Sequence, residues 1–150
     1  MTKIIALSKI ISIIFVFIPV SCCSQQSKSQ IRLSENFINS VLRNKMTTDD
    51  VIEKFILVDK TSEKKIKFAH QQIQYLREEI EKRNVTESKL KYFSYAKSGY
   101  SDLLISESEA QYVVIIRNGD ERFATILLQE GKIKSFTTMN KGGKRIFITF

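Results

Sequence analysis

Apolar residues recur at helical spacing in three stretches of the N-terminal half of the chain. The first stretch begins with Ser34, which is a suitable N-cap residue. The second begins at Thr47 or Thr48, because Thr47 and Asp50 have the spacing of a capping box. The third is the longest and covers about residues 62–84, where apolar side chains step by three and four. The pattern therefore predicts three helices, each with one apolar face.

The C-terminal half consists instead of short segments rich in β-branched and aromatic residues. Asn118-Gly119 is a strong hairpin signal, and further turns are expected at 129–132 and 140–143. Residues 113–116 are apolar on both faces and are expected at the centre of the sheet. An antiparallel meander of four to six strands follows from these signals. The predicted strands cover residues 90–96, 103–106, 111–117, 122–129, 133–139 and 145–150.

The order of these elements predicts an α+β fold, in which three helices, the third the longest, pack on the antiparallel sheet. This order resembles the cone-shaped NTF2-like and cystatin-like α+β folds, a layout that several envelope lipoproteins have. The resemblance implies a curved sheet with a concave side. It implies no particular function, because one fold carries many.

The first residues of the chain have the pattern of an export signal. Lys3 and Lys9 give a positively charged start, and residues 10–20 form an apolar run with one serine. The run is shorter than the roughly 20 residues that a membrane-spanning helix needs. Pro19 and the small residues after it break a helix and leave extended backbone for a peptidase. The segment is therefore predicted to be cleaved.

Two adjacent cysteines follow the apolar run. Val20-Ser21-Cys22 resembles the lipobox of bacterial lipoprotein precursors, in which the cysteine is acylated and becomes the new N-terminus. Pro19 stands where that family prefers an aliphatic residue; with Cys23 as the acceptor, Val20 fits that place. The resemblance implies a lipid on Cys22, with Cys23 as the alternative. It also implies a membrane-anchored protein that faces the periplasm or the cell surface.

The resulting organisation is a signal peptide at 1–21, a polar lipid-anchored tether at 22–32 and a single domain at 33–150. A cysteine that carries two or more acyl chains would hold the protein on the membrane permanently, whereas one chain anchors only reversibly. An ordinary secretory signal cut near Ser24 is the alternative.

Composition narrows the chemistry of the domain. No cysteine follows Cys23, so the domain has no structural disulfide, thiol nucleophile or cysteine-ligated metal. Loss of Lys3 and Lys9 with the signal lowers the formal charge from +8 to +6. An exported basic surface is expected to meet anionic lipid headgroups or envelope polymers, not nucleic acid. The alternative is a solvated basic face that keeps the domain soluble.

Aromatic and basic residues interleave in one segment of the strand-rich half. Tyr92, Tyr95 and Tyr100 lie close in sequence to Lys97. Such groups can hold sugars or flexible peptides by stacking and cation–π contact. These four residues are therefore the candidate binding surface. The alternative is an edge strand and its loop, with the ring bodies buried and the hydroxyl groups in water.

The sequence contains no catalytic, metal-binding or cofactor-binding motif. His70, the only histidine, has Ile66 and Gln74 at i±4 and no carboxylate there, so no metal site is expected. The glycines between Lys141 and Lys144 lack the Ser or Thr and the following helix of a phosphate-binding loop. They are expected to form a hairpin turn.

The predicted function is that of a non-catalytic module that binds an envelope protein or a small ligand. One alternative is a periplasmic inhibitor or immunity-type protein. The other is an NTF2-like enzyme with an acid–base site built from Asp102, Tyr112 and Tyr95. A basic-aromatic groove would favour the binding module, and a protruding, poorly packed loop at 97–102 the inhibitor. A deep apolar cavity with an isolated carboxylate would favour the enzyme.

Overall fold

The computed structural model describes residues 21–150, without the side chains of residues 21–24 and 26. It has the predicted α+β architecture, with helices first and antiparallel strands after them. The helices are α1 (Ser21–Leu42), α2 (Thr48–Phe55), α3 (Glu63–Lys82) and the short α4 (Glu107–Ala110). The strands are β1 (Leu90–Ser94), β2 (Val113–Asn118), β3 (Glu121–Gln129), β4 (Lys132–Ser135), β5 (Thr137–Lys141) and β6 (Lys144–Ile148).

The first helix starts much earlier than its apolar stripe predicts. Ser34 is not an N-cap but a fully buried residue inside α1, and its Oγ donates a hydrogen bond to the backbone oxygen of Gln30 (3.0 Å). Serine tolerates this buried position because its hydroxyl group donates to a carbonyl oxygen four residues earlier, which also accepts the helical backbone bond. The buried face therefore extends from Gln30 to Val41. The segment predicted as a tether, 22–32, is helical, and its anchoring role stays a prediction.

The other two predicted helices are confirmed. Thr47 caps α2, and its side chain accepts the Asp50 N–H while the Asp50 side chain accepts the Thr47 N–H. The prediction that the third helix is the longest is wrong, because α1 has 22 residues and α3 has 20. α3 buries Ala69, Ile73 and Leu76 along one face, as its apolar spacing predicts. The three long helices pack on one another and on one face of the sheet.

The strands form two antiparallel sheets. β1 to β4 make a four-stranded meander in chain order, and β5 pairs only with β6. The predicted strand at 133–139 is divided at Phe136, whose ring turns into the core against Phe37 and Phe150. The chain therefore leaves the first sheet after Ser135 and continues as β5 in the second.

The predicted strand at 103–106 is wrong. Leu103 makes a single bridge to Arg145, and Ser106 instead caps α4 through a capping box with Glu109. The spacing of Ser106 and Glu109 is a helix-start signal that the apolar residues before it obscured.

Each face of the four-stranded sheet is covered by a different part of the chain. Val114 and Ile116 of β2 face the helices, whereas Val113 and Ile115 face the segment that connects β1 to β2. The central position predicted for 113–116 is confirmed, because β2 has a strand on each side and buries all four residues.

Candidate functional site

A cleft with polar and charged side chains lies between α3 and the two sheets, with a volume of about 440 Å³. This volume lies within the range of small-ligand sites, roughly 300–1,000 Å³. Its floor is apolar, and its rim carries charged and hydroxyl side chains. The lining residues are Tyr75, Leu76, Glu79, Arg83, Tyr100, Glu121, Arg122, Phe123, Ala124, Thr125, Phe136, Thr137, Thr138 and Arg145.

The cleft exists because the two sheets separate beside β3. β4 pairs with β3 only from Leu127 to Gln129, and the chain then turns inward at Phe136. β5 lies beside β3 but does not pair with it. The first half of β3 is therefore open on one edge, with α3 above it.

A carboxylate holds two arginines at one end of the cleft. Arg122 donates two hydrogen bonds to Asp102, at 2.8 and 2.5 Å, and Arg145 Nε lies 3.3 Å from the same carboxylate. The hydrogen bonds from Arg122, with the charges of both arginines, hold the pKa of Asp102 below its usual range despite partial burial. Asp102 is therefore ionised at neutral pH and already paired.

A stack of alternating cations and aromatic rings continues from this ion pair. Arg122 lies over the ring of Tyr100 (4.4 Å), and Arg117 lies between the rings of Tyr100 (5.2 Å) and Phe93 (5.0 Å). Arg117 also donates to the backbone oxygen of Ser98 (2.5 Å). These contacts fasten the segment at 95–105 to the outer face of the sheet. The cations that interleave with the tyrosines are thus arginines of β2 and β3, not the nearby lysines.

Sequence reasoning missed these arginines. Arg117 and Arg122 flank the predicted Asn118-Gly119 turn, so a hairpin places them side by side, and they are direct partners in its register. That pairing was a usable signal. Arg145 could not be found in the same way, because it is distant from Asp102 in sequence and no local pattern predicts their contact.

The remaining charged residues of the cleft differ in how fully they are paired. Arg83 donates to Glu79 (2.9 Å), and Lys82 lies 3.6 Å from the same carboxylate. Arg145 is less engaged, since its side chain is 46% exposed and, among the described residues, its other side-chain hydrogen bond is a long one of 3.5 Å to Thr138. Tyr75 is 57% exposed at the rim. Arg145 and Tyr75 are therefore the side chains best placed to contact a ligand.

The structure does not bring the four predicted surface residues together. Tyr92 pairs with Ile116 and packs on the helical side of the sheet, whereas Tyr95 and Tyr100 pack on the opposite side. Lys97 is exposed, and of the four only Tyr100 lines the cleft. Whether any of the four binds a ligand stays a prediction, but they do not form one surface.

Tyr92 has an unusual environment of its own. Its hydroxyl group is buried on the helical side of the sheet and has no hydrogen-bond partner among residues 21–150 as described. Burial raises the pKa of Tyr92, and the negative charges of Glu35 and Glu87 raise it further. The hydroxyl group therefore stays protonated, and it is not an acid–base group at neutral pH.

The two other sequence features considered for chemistry are His70 and the glycines between Lys141 and Lys144. His70 Nε2 lies 3.0 Å from Asp49, a partner that comes from α2 and not from the same helix. Gly142 and Gly143, with φ of 60° and 79°, form the predicted hairpin turn between β5 and β6. Among the described residues, no group of three His, Cys, Asp or Glu side chains is arranged to hold a metal.

The residues considered for an acid–base site are not assembled into one. Asp102 is paired at the end of the cleft, whereas Tyr112 lines two other hollows beside Leu128 and Gln129. Tyr95 packs on the cluster of Leu103, Val113, Ile115 and Leu127 and does not line the cleft. The geometry gives this trio no common substrate position.

The chain matches no protein-family model, and neither a curated protein nor a solved structure is significantly similar to it. No helix within residues 21–150 has the length and apolar character to cross a bilayer. Residues 1–20, with most of the predicted signal, and the side chains of Cys22 and Cys23 lie outside the described part.

Proposed function

We propose that the protein is a non-catalytic binding module of the cell envelope, held on the membrane by a lipid on Cys22. The module takes its ligand or partner segment in the cleft between α3 and β3. The cleft carries this proposal: it is open, of ligand size, and combines an apolar floor with tyrosine, arginine and threonine at the rim.

The state of the charged groups supports binding over catalysis. A general base needs a carboxylate whose pKa lies near the working pH, usually because it is desolvated and unpaired. Two carboxylates in or beside the cleft, those of Asp102 and Glu79, are instead paired with cations. Asp102 has a lowered pKa, and Glu79 is held by Arg83 and Lys82.

The segment at 97–102 supports a binding module over an inhibitor. An inhibitory loop protrudes and is free to enter the target's active site. Here Ser98 and Asp102 hold the segment to the sheet, through bonds from Arg117 and Arg122. Tyr100 is clamped between two guanidinium groups.

The anchor is tested by the intact mass of the protein extracted from membranes. The proposal predicts a mature chain that starts at Cys22 and carries the added mass of acyl chains. A Cys22→Ser variant should lose that mass and leave the membrane fraction. A water-soluble mature form that starts at or after Ser24 would contradict the anchor.

The cleft is tested by photo-cross-linking in the cells that make the protein. A photoreactive amino acid is placed at Tyr75, on the rim, or at Tyr112, which is 37% exposed outside the cleft. The proposal predicts adducts from position 75 and few from position 112. Equal yields at the two positions would show that the cleft has no special role.

A further inference from the structure

We propose that the occupant of the cleft is an extended acidic peptide segment, which pairs with the open edge of β3 as an added strand. This rests on the proposed function and names its partner class. Strand addition gives affinity through main-chain hydrogen bonds and specificity through alternate side chains. The structure contains the features that this mode needs: a strand edge without a strand partner, a flanking channel and a half-exposed arginine.

The open edge follows from the pairing of β3. Leu128 donates its N–H to Tyr112 of the neighbouring chain segment (3.0 Å), and Ile126 is opposite Val114. The N–H and C=O groups of successive residues point alternately to the two edges of a strand. Those of Ile126 and Leu128 face β2, so those of Thr125 face the opposite edge. On that edge Leu127 is opposite Ser135, but Thr125 has no strand partner within the described residues.

The edge is recessed, which makes it selective. Unpaired strand edges invite aggregation, and proteins commonly cover them or twist them away. Here α3 and β5 form the two walls, and a bulge interrupts the β2–β3 pairing beside Phe123. We expect such a channel to admit a single extended chain more readily than a flat sheet edge of another molecule. Thr125 is only 4% exposed, so its backbone has little access to bulk water.

The charges at the rim favour an acidic segment. Three arginines and two glutamates line the cleft, namely Arg83, Arg122, Arg145, Glu79 and Glu121. Arg83 and Arg122 already have bonded carboxylates, whereas Arg145 is half-exposed and shares Asp102, at 3.3 Å, with the closer Arg122. A carboxylate in the added strand gives Arg145 a charge-assisted hydrogen bond, and Tyr75 offers a ring for the neighbouring side chain.

The test uses the full chain, purified in mild detergent, and three synthetic peptides of roughly seven residues, about 23 Å when extended. The acidic probe alternates glutamate with valine. One control replaces glutamate by lysine, and the other is the acidic probe with alternate amide nitrogens methylated. Amide hydrogen exchange is followed by NMR, and the Ile126 amide, which faces β2, is the internal reference.

The proposal predicts that the acidic probe slows exchange of the Thr125 amide about tenfold, with Ile126 unchanged. The lysine and methylated peptides should give no such protection. Shifts at Tyr75 and Arg145 without protection of Thr125 would overturn strand addition and leave the cleft as a binding site. Failure of the acidic probe to bind, or equal binding of the lysine peptide, would overturn the acidic partner.

A pair of variants separates the local contact from overall charge. Arg145→Gln removes a cation that lines the cleft, and Lys141→Gln removes one from the exposed hairpin tip. The first should weaken the acidic probe about tenfold, and the second less than about twofold. Equal effects would mean that binding depends only on the net charge of the domain, and would contradict a direct contact between Arg145 and the probe.

Discussion

At the scale of single residues, the central arrangement is the carboxylate of Asp102 between two arginines. Arg122 is 12% exposed, so its guanidinium depends on this partner and on the Tyr100 ring. Buried or half-buried charges are expensive without partners, whereas exposed ion pairs contribute little. This single carboxylate therefore joins the segment at 95–105 to both β3 and β6.

Asp102→Asn should lower the free energy of unfolding by about 1–2 kcal/mol, because Arg122 loses a charged partner that it cannot replace with water. Glu87→Gln is the control: Arg43 and Glu87 also make a short pair, of 2.8 Å, but both side chains are more than half exposed. Its cost should stay within about 0.5 kcal/mol. Urea denaturation measures both, and equal costs would contradict the structural role of Asp102.

The same pair predicts a dependence on pH. The folded pKa of Asp102 is lowered, so its stabilisation is present above the unfolded pKa and is lost as pH falls through the folded value. The difference in unfolding free energy between the wild type and Asp102→Asn should therefore be constant from about pH 7 to 5 and shrink below about pH 4. An undiminished difference at low pH would show that the charge of Asp102 is not the cause.

At the scale of elements, sequence patterns predict what local rules determine. The capping box of Thr47 and Asp50, the stripe of α3 and the hairpin turns all depend on neighbours in sequence, and all are confirmed. The start of α1 and the division of the strand at 133–139 depend on distant contacts. Phe136 turns inward because Phe37 and Phe150 receive its ring. The cleft results from that turn, so the sequence alone could not place it.

Two substitutions distinguish a helix start from a helix interior. Thr47→Ala removes the N-cap of α2 and should cost about 1 kcal/mol of unfolding free energy. Ser34→Ala should change the unfolding free energy by less than about 0.5 kcal/mol, because alanine favours a helix interior and the Gln30 carbonyl keeps its backbone bond. Thermal and urea unfolding measure both variants. A larger cost at Ser34 than at Thr47 would contradict the continuous α1.

At the scale of the whole molecule, the start of α1 and the cleft lie near different ends of β3. Ser29 and Gln30 of α1 line a hollow with Glu130 and Gly131, next to the C-terminal end of the strand. The cleft begins at Glu121, and the nine residues of β3 span roughly 27 Å. We therefore expect a lipid on Cys22 to place the membrane on the side away from the cleft.

Fluorophores at the two ends of β3 test this orientation. Asp120 and Glu130 are exposed acidic turn residues, one at each end, and each is replaced by cysteine in a Cys23→Ser background. In vesicles with an acceptor lipid in the headgroup region, energy transfer should be more efficient from Glu130→Cys than from Asp120→Cys. Equal efficiencies, or the reverse order, would contradict the predicted orientation.

Occupancy of the cleft in the native envelope is the most direct test of the binding proposal. Hydrogen exchange of residues 121–125 can be compared between the protein in isolated envelope membranes and the protein purified away from its partners. We predict slower exchange in the membranes for this segment, with the hairpin tip at Gly142 and Gly143 unchanged. Identical exchange of residues 121–125 in the two preparations would contradict a bound partner in the cleft.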